Sequence, residues 1–130
     1  MRDQIVSNML AISWIGMLLG VVSGAVIGLF FHREDWMGGY SSFRRRLTRL
    51  GHISFFGLGF INFFFAVSHE IAGIKLGFAL PAAVAFTIGA ATMPTCCFLC
   101  AWRKPFRHLF FIPVLGVGTG IVLTLAGWPW

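Results

Sequence analysis

The sequence predicts an all-helical, polytopic integral membrane four-helix bundle with both termini on the non-cytoplasmic side. Three observations carry that expectation. The 130 residues are 58% hydrophobic and 11% charged, with 16% aromatics, a balance outside the range of soluble domains. The apolar residues fall into four runs, each close to or above the about 20 residues that a bilayer core requires. The cations cluster between those runs rather than along one face of the chain, so the net charge of +6 points to topology and anionic head groups, not to nucleic acid.

The first span is expected over residues 5–31. Its apolar run exceeds the hydrophobic region of a signal peptide, and no small-residue cleavage site follows, so it reads as a retained helix. Gly16, Gly20, Gly24 and Gly28 recur at a spacing of four and leave a groove for another helix backbone. That partner is expected to be a neighbour in the same chain, with a second copy as the alternative.

Residues 32–49 form a basic interfacial loop. Trp36 and Tyr40 carry the amphipathic rings of interface anchors, and Ser41 or Ser42 is placed to cap a short amphipathic helix. Phe43, Leu47 and Leu50 share one face of it and leave Arg44, Arg45 and Arg46 for the head groups.

The second span, residues 50–68, has two faces at about 100° per residue. His52, Phe55, Gly59, Asn62, Ala66 and His69 are expected toward protein, and Ile53, Phe56, Phe60, Phe63, Phe64 and Val67 toward lipid. Asn62 reads as an interhelical hydrogen-bonding residue. A short turn with His69, Glu70 and Lys75 leads to the third span, residues 74–100, which contains Pro81 and Pro94; Thr92 and Thr95 are the hydroxyls available to the freed carbonyls. The fourth span, residues 106–128, carries Pro113 with Gly116 and Gly120 and runs into an interfacial WPW. No internal repeat or second domain is visible.

Five Lys and Arg residues lie between spans one and two and three between spans three and four, against Arg2 and Lys75 on the other side. The positive-inside rule then places both basic turns in the cytoplasm, in a membrane of the bacterial cytoplasmic type. This topology gathers His32, His52, Cys96, Cys97, Cys100 and His108 at the cytoplasmic end. His52 and His108, with His32 in reserve, are candidate axial ligands of a b-type haem, for which Gly51, Gly57 and Gly59 leave room. The run Gly51 to Gly57, a Gly-His pair followed by an aromatic pair and a glycine, resembles the histidine-bearing helices of haem-copper-oxidase-like membrane proteins. That resemblance implies haem ligation by His52; the further histidines of an oxidase copper centre are absent from this chain.

Met93, Cys97 and Cys100 align on one helical face, with Cys96 one turn before Cys100. They are candidate ligands for copper(I), or for zinc with two histidines; ordinary buried packing is the competing reading. Three cysteines within five residues form no disulfide framework. The four carboxylates, Asp3, Glu34, Asp35 and Glu70, lie at ends or turns, where an acid/base pair is not expected. The functional expectation is a small non-enzymatic multi-pass protein, a subunit or accessory of a membrane assembly that carries haem or copper at its cytoplasmic end. An oligomeric channel or small-molecule transporter is the alternative.

Overall fold

A computed structural model describes all of residues 1–130. The chain is all-helical and contains no strand. Helix α1 spans Arg2–Phe30, α2 Phe43–Ala72, α3 Leu76–Trp102 and α4 Phe111–Ala126. Short 3-10 turns at Trp36–Gly38 and Lys104–Phe110 join α1 to α2 and α3 to α4. All four helical segments, the last taken from Lys104, are long and apolar enough to cross a membrane.

The helices do not close into a four-cornered bundle. Helices α2 and α3 pack side by side at the centre, α1 lies against α2, and α4 lies against α3. The most apolar stretches of α2 and α3 are 39% and 33% buried, against 17% and 11% for α1 and α4, which identifies the outer pair as flanks. Each flank has a narrow seam. Ser13, Gly20 and Ile27 are buried in α1, and Pro113, Gly120 and Gly127 at the corresponding positions of α4 and its cap. A narrow seam is what a helix shows when one neighbour covers most of it; toward the start of α1, Ile5 and Met9 are buried as well, in a cluster shared with α3.

Glycine makes both seams close. A Cβ on Gly16 would lie 3.4 Å from the carbonyl oxygen of Phe55, and one on Gly59 would lie 3.2 Å from that of Ser13. Gly20 and Gly24 instead receive the rings of Phe56 and His52. The glycine ladder is therefore filled by α2 of the same chain along three of its four rungs, and Gly28 faces open space. Phe56, expected among the outward aromatics, turns toward α1 for this reason; Ile53, Phe60 and Phe64 are exposed as expected. On the other flank, a Cβ on Gly116 would meet the Ala85 oxygen at 3.1 Å and the Gly89 nitrogen at 3.3 Å.

Three local findings differ from the expectations. Helix α2 begins at Phe43 rather than residue 50, so the basic amphipathic segment and the apolar span form one continuous rod. Ser42 supplies its N-cap, accepting from the Arg45 backbone N–H at 3.2 Å, and no helix breaker separates the two parts. Secondly, Thr92 and Thr95 donate to the carbonyls of Ile88 and Ala91, one turn back, and not to Ala90 or Gly77, whose hydrogen bonds Pro94 and Pro81 remove. Thirdly, Arg45 is only 2% exposed and points into the protein.

Gly116→Ala and Gly118→Ala separate packing from helix propensity, since both substitutions gain the same propensity of about 1 kcal/mol. A Cβ at Gly118 meets nothing within 4 Å. Gly118→Ala is expected to leave thermal stability in detergent unchanged or raised, and Gly116→Ala to lower it relative to that control by about 1 to 3 kcal/mol, because the obstructing atoms are backbone.

Candidate functional site

The polar chemistry of this chain is concentrated on α2. Its buried residues include Arg45, Thr48, Ser54, Asn62 and His69, a file that runs the length of the helix toward its neighbours. Most of these groups are satisfied at short range. Thr48 donates to the Arg44 carbonyl, Ser54 to Gly51 at 2.7 Å and Asn62 Nδ2 to Leu58 at 2.7 Å. Ser13 crosses from α1 to donate to the Gly59 carbonyl at 2.6 Å. Asn62 thus bonds within its own helix rather than between helices. Its Oδ1 has no partner, nor does either ring nitrogen of His69, which is 1% exposed and stacked on Phe65.

At the basic end, the loop between α1 and α2 is built on the first turns of α2. Arg45 donates to the carbonyls of Phe31 (3.0 Å) and Arg33 (3.4 Å), just beyond the end of α1. Its guanidinium lies 4.7 Å from the ring centroid of Phe31 and 5.4 Å from those of Trp36 and Tyr40. The two expected interface anchors are therefore walls of a cage around a buried arginine. Ser42 completes the attachment by donating to the Met37 carbonyl at 2.7 Å, and the Met37 sulfur lies 3.5 Å from the Thr48 hydroxyl. Met37 takes a left-handed backbone with φ 55°, followed by Gly38 and Gly39 at φ 86° and 96°, and these three residues turn the chain back onto α2.

The predicted haem ligands are dispersed. His52 is half-buried on the α1 side of α2, with Nδ1 3.2 Å from Ser23 Oγ and its ring edge-on to Phe56. A Cβ on Gly24 would come within 2.5 Å of its Cε1, so α1 already occupies the space that a macrocycle would need there. His108 is exposed in the 3-10 turn that packs against α3 and α4, and His32 is exposed after α1. His52 and His32 lie on the α1 side of the α2–α3 pair and His108 on the α4 side.

The cysteines are all buried and unpaired, and each has a packing role. Pro113 cannot donate to the carbonyl of Leu109, which accepts from the Phe111 backbone N–H and from the Cys96 thiol, 3.7 Å away. Cys100 donates to the Lys104 carbonyl at 3.8 Å, where α3 ends. Cys97 is fully buried where α3 meets α2, its Cβ 3.1 Å from where a Cβ on Gly51 would stand. Met93, on the same face, lines a cleft between α2 and α4. No group of three or more His, Cys, Asp and Glu side chains is arranged to hold a metal ion. The sequence signal that could have pointed to Cys96 is Pro113 itself, since an intrahelical proline advertises a carbonyl in need of a donor.

The opposite end has its own arginine. Arg2 donates to the carbonyls of His69 (3.0 Å) and Glu70 and pairs with the Glu70 carboxylate at 3.8 Å. His69, expected on the protein-facing side and at the start of the turn, is buried within the last turns of α2 beneath this contact. The chain matches no family model, and no curated protein or solved structure is significantly similar to it.

Two substitutions test these roles. Cys96→Ala is expected to destabilise by about 0.5 to 1 kcal/mol in the native background and by less in Pro113→Ala, which restores a backbone donor; thermal unfolding of the four-member cycle measures the difference. Arg45→Gln is expected to cost about 2 kcal/mol or more, as hydrogen bonds from a charged group are lost. It should also open the 32–42 loop to limited proteolysis.

Proposed function

We propose that this chain is an integral membrane protein whose four helices all cross the bilayer, with the basic turns cytoplasmic and the termini outside. Within that setting it acts as a non-enzymatic subunit or accessory of a larger membrane assembly. The lopsided distribution of Lys and Arg supports the orientation. The extensive apolar surface of α1 and α4, including Trp14, Leu18, Val114 and Val122, supports burial in lipid.

The observation that carries the assembly reading is a cleft of about 420 Å³ between α1 and α3. Small residues line much of it: Gly16 from α1 and Thr87, Ala90, Ala91 and Thr95 from α3. Ala83, Thr87, Ala91 and Thr95 recur at a spacing of four; Thr87 is partly buried, and Ala91 and Thr95 are exposed. Both threonine hydroxyls are already bonded to carbonyls of their own helix, so the ridge presents methyl groups and backbone. Helices associate in lipid through surfaces of this type, because small side chains let backbones approach.

Ala91→Leu combined with Thr95→Leu fills the cleft without touching the α2–α3 seam. It is expected to abolish co-migration of the chain with its partner on native gels of solubilised membranes, with thermal stability retained. Unchanged co-migration would remove this face from the interface. Haem at the basic end is checked by the absorption spectrum of the same preparation. A Soret band that disappears in both His52→Ala and His108→Ala would mean that the helices rearrange to bring those rings to one iron.

A further inference from the structure

A second cleft lies on the other face of the molecule, between α2 and α4, where those two helices stand apart over α3. It measures about 390 Å³ in the half nearer the basic end, lined by Ser54, Gly57, Ile61, Met93, Pro113 and Val117 among others. Ile61 also belongs to a further hollow of about 220 Å³, lined by Phe65 and Ile121, in the opposite half. The two hollows follow one another along this apolar face, with Ile61 lining both. Gly57 keeps the wider part clear, since a Cβ there would meet nothing within 4 Å.

The lower end of this cleft is basic. Pro113, which lines the wider hollow, stands three residues after the 3-10 turn Lys104–Phe110, where Lys104, Arg107 and His108 surround a hollow with no apolar residue but Pro105. On the α2 side the same helical face continues through Leu50 and Leu47 to Phe43, and Lys104 Nζ stands 5.6 Å from the Phe43 ring. The one ion pair of the chain joins Arg2 to Glu70 at the other end, so neither Lys104 nor Arg107 has a carboxylate within salt-bridge distance. Its lower end is therefore an unneutralised positive site at the level of a membrane interface.

We infer that this face binds one anionic glycerophospholipid, an acyl chain lying in the α2–α4 cleft past Gly57 and the phosphate resting on Lys104 and Arg107. The inference rests on the membrane placement proposed above. Shape and charge each supply half of the match: the cleft accepts a chain but no polar head, and the cations accept a phosphate that a zwitterionic lipid offers only with a compensating ammonium. Two surface cations each favour anionic lipid by about a factor of five. The preference is therefore expected to be on the order of tenfold or more.

The test uses the full-length chain, purified in detergent and titrated with phosphatidylglycerol and phosphatidylcholine of identical acyl chains, with retained lipid counted by native mass spectrometry. One phosphatidylglycerol per chain is expected, in preference to phosphatidylcholine. Lys104→Gln with Arg107→Gln should erase the preference at unchanged thermal stability, and Gly57→Leu should reduce retention of both lipids by filling the cleft. Gly118→Leu, at another open position, serves as the control for folding. Equal retention of the two lipids by the native chain, an undiminished preference in the Lys104→Gln, Arg107→Gln variant, or undiminished retention of lipid in Gly57→Leu overturns the proposal. So does a dimer that Gly57→Leu disrupts, which would make a second copy the occupant. Failure to recover the chain in the membrane fraction would instead overturn the placement on which the site depends.

Discussion

A carbonyl at the end of an apolar helix must find a donor, and in this chain distant basic side chains provide it. Arg45 reaches the carbonyls beyond α1, Arg2 those at the end of α2, and the Arg44 Nε bonds the Ala101 carbonyl at the end of α3, 3.1 Å away. At the foot of α4 the backbone N–H of Lys75 donates to the Gly127 carbonyl. Each of these bonds also joins two elements that are remote in sequence, so the capping of one helix is at the same time the docking of another. Positive charge at a helix C-terminus is favoured by the helix dipole as well. The hairpins hold their register because their ends are tied in this way, while the apolar faces between supply contact but little direction.

Helix α2 can take the central position because its inward face is narrow and its polar groups are short. Gly51, Ser54, Gly59 and Ala66 let α1 and α3 approach on either side, and the serines and Asn62 return their donors to carbonyls within reach. Helix α3 answers with Ala79, Ala82, Ala83 and Gly89 and the three thiols. Bulk is placed where it fills a glycine notch, as with Phe56 at Gly20 and Phe86 at Gly120. The unpartnered atoms are Arg45 Nε, Asn62 Oδ1 and the two His69 ring nitrogens, all of them on α2.

Much of the architecture was legible in the sequence because four long apolar runs have few alternatives once the chain is confined to lipid-like composition. The central range of every helix, the Ser42 cap and the close packing of Gly16, Gly20 and Gly24 all follow from local residue type and spacing. The start of α2 did not, since amphipathic and fully apolar stretches follow one another without a breaker and both favour helix. Arg45 was misplaced for a related reason: periodicity assigns a face, but the cage of Phe31, Trp36 and Tyr40 forms only when the loop folds back. The candidate ligand layer shows the same limit. The side of α2 on which His52 lies depends on which neighbour packs there.

The open order of the helices has a consequence for the proposed function. With α2 and α3 at the centre and one flank on each, the molecule has two clefts on opposite faces, and they differ in chemistry. The α1–α3 cleft is lined by threonine, alanine and glycine, which suits a second helix backbone. The α2–α4 cleft is lined by larger aliphatic groups and opens toward uncompensated cations, which suits a chain with a charged head. A closed four-cornered bundle of the same sequence would have buried both. The flanks stay apart because one neighbour covers most of each narrow seam, which leaves the two faces free to meet different partners.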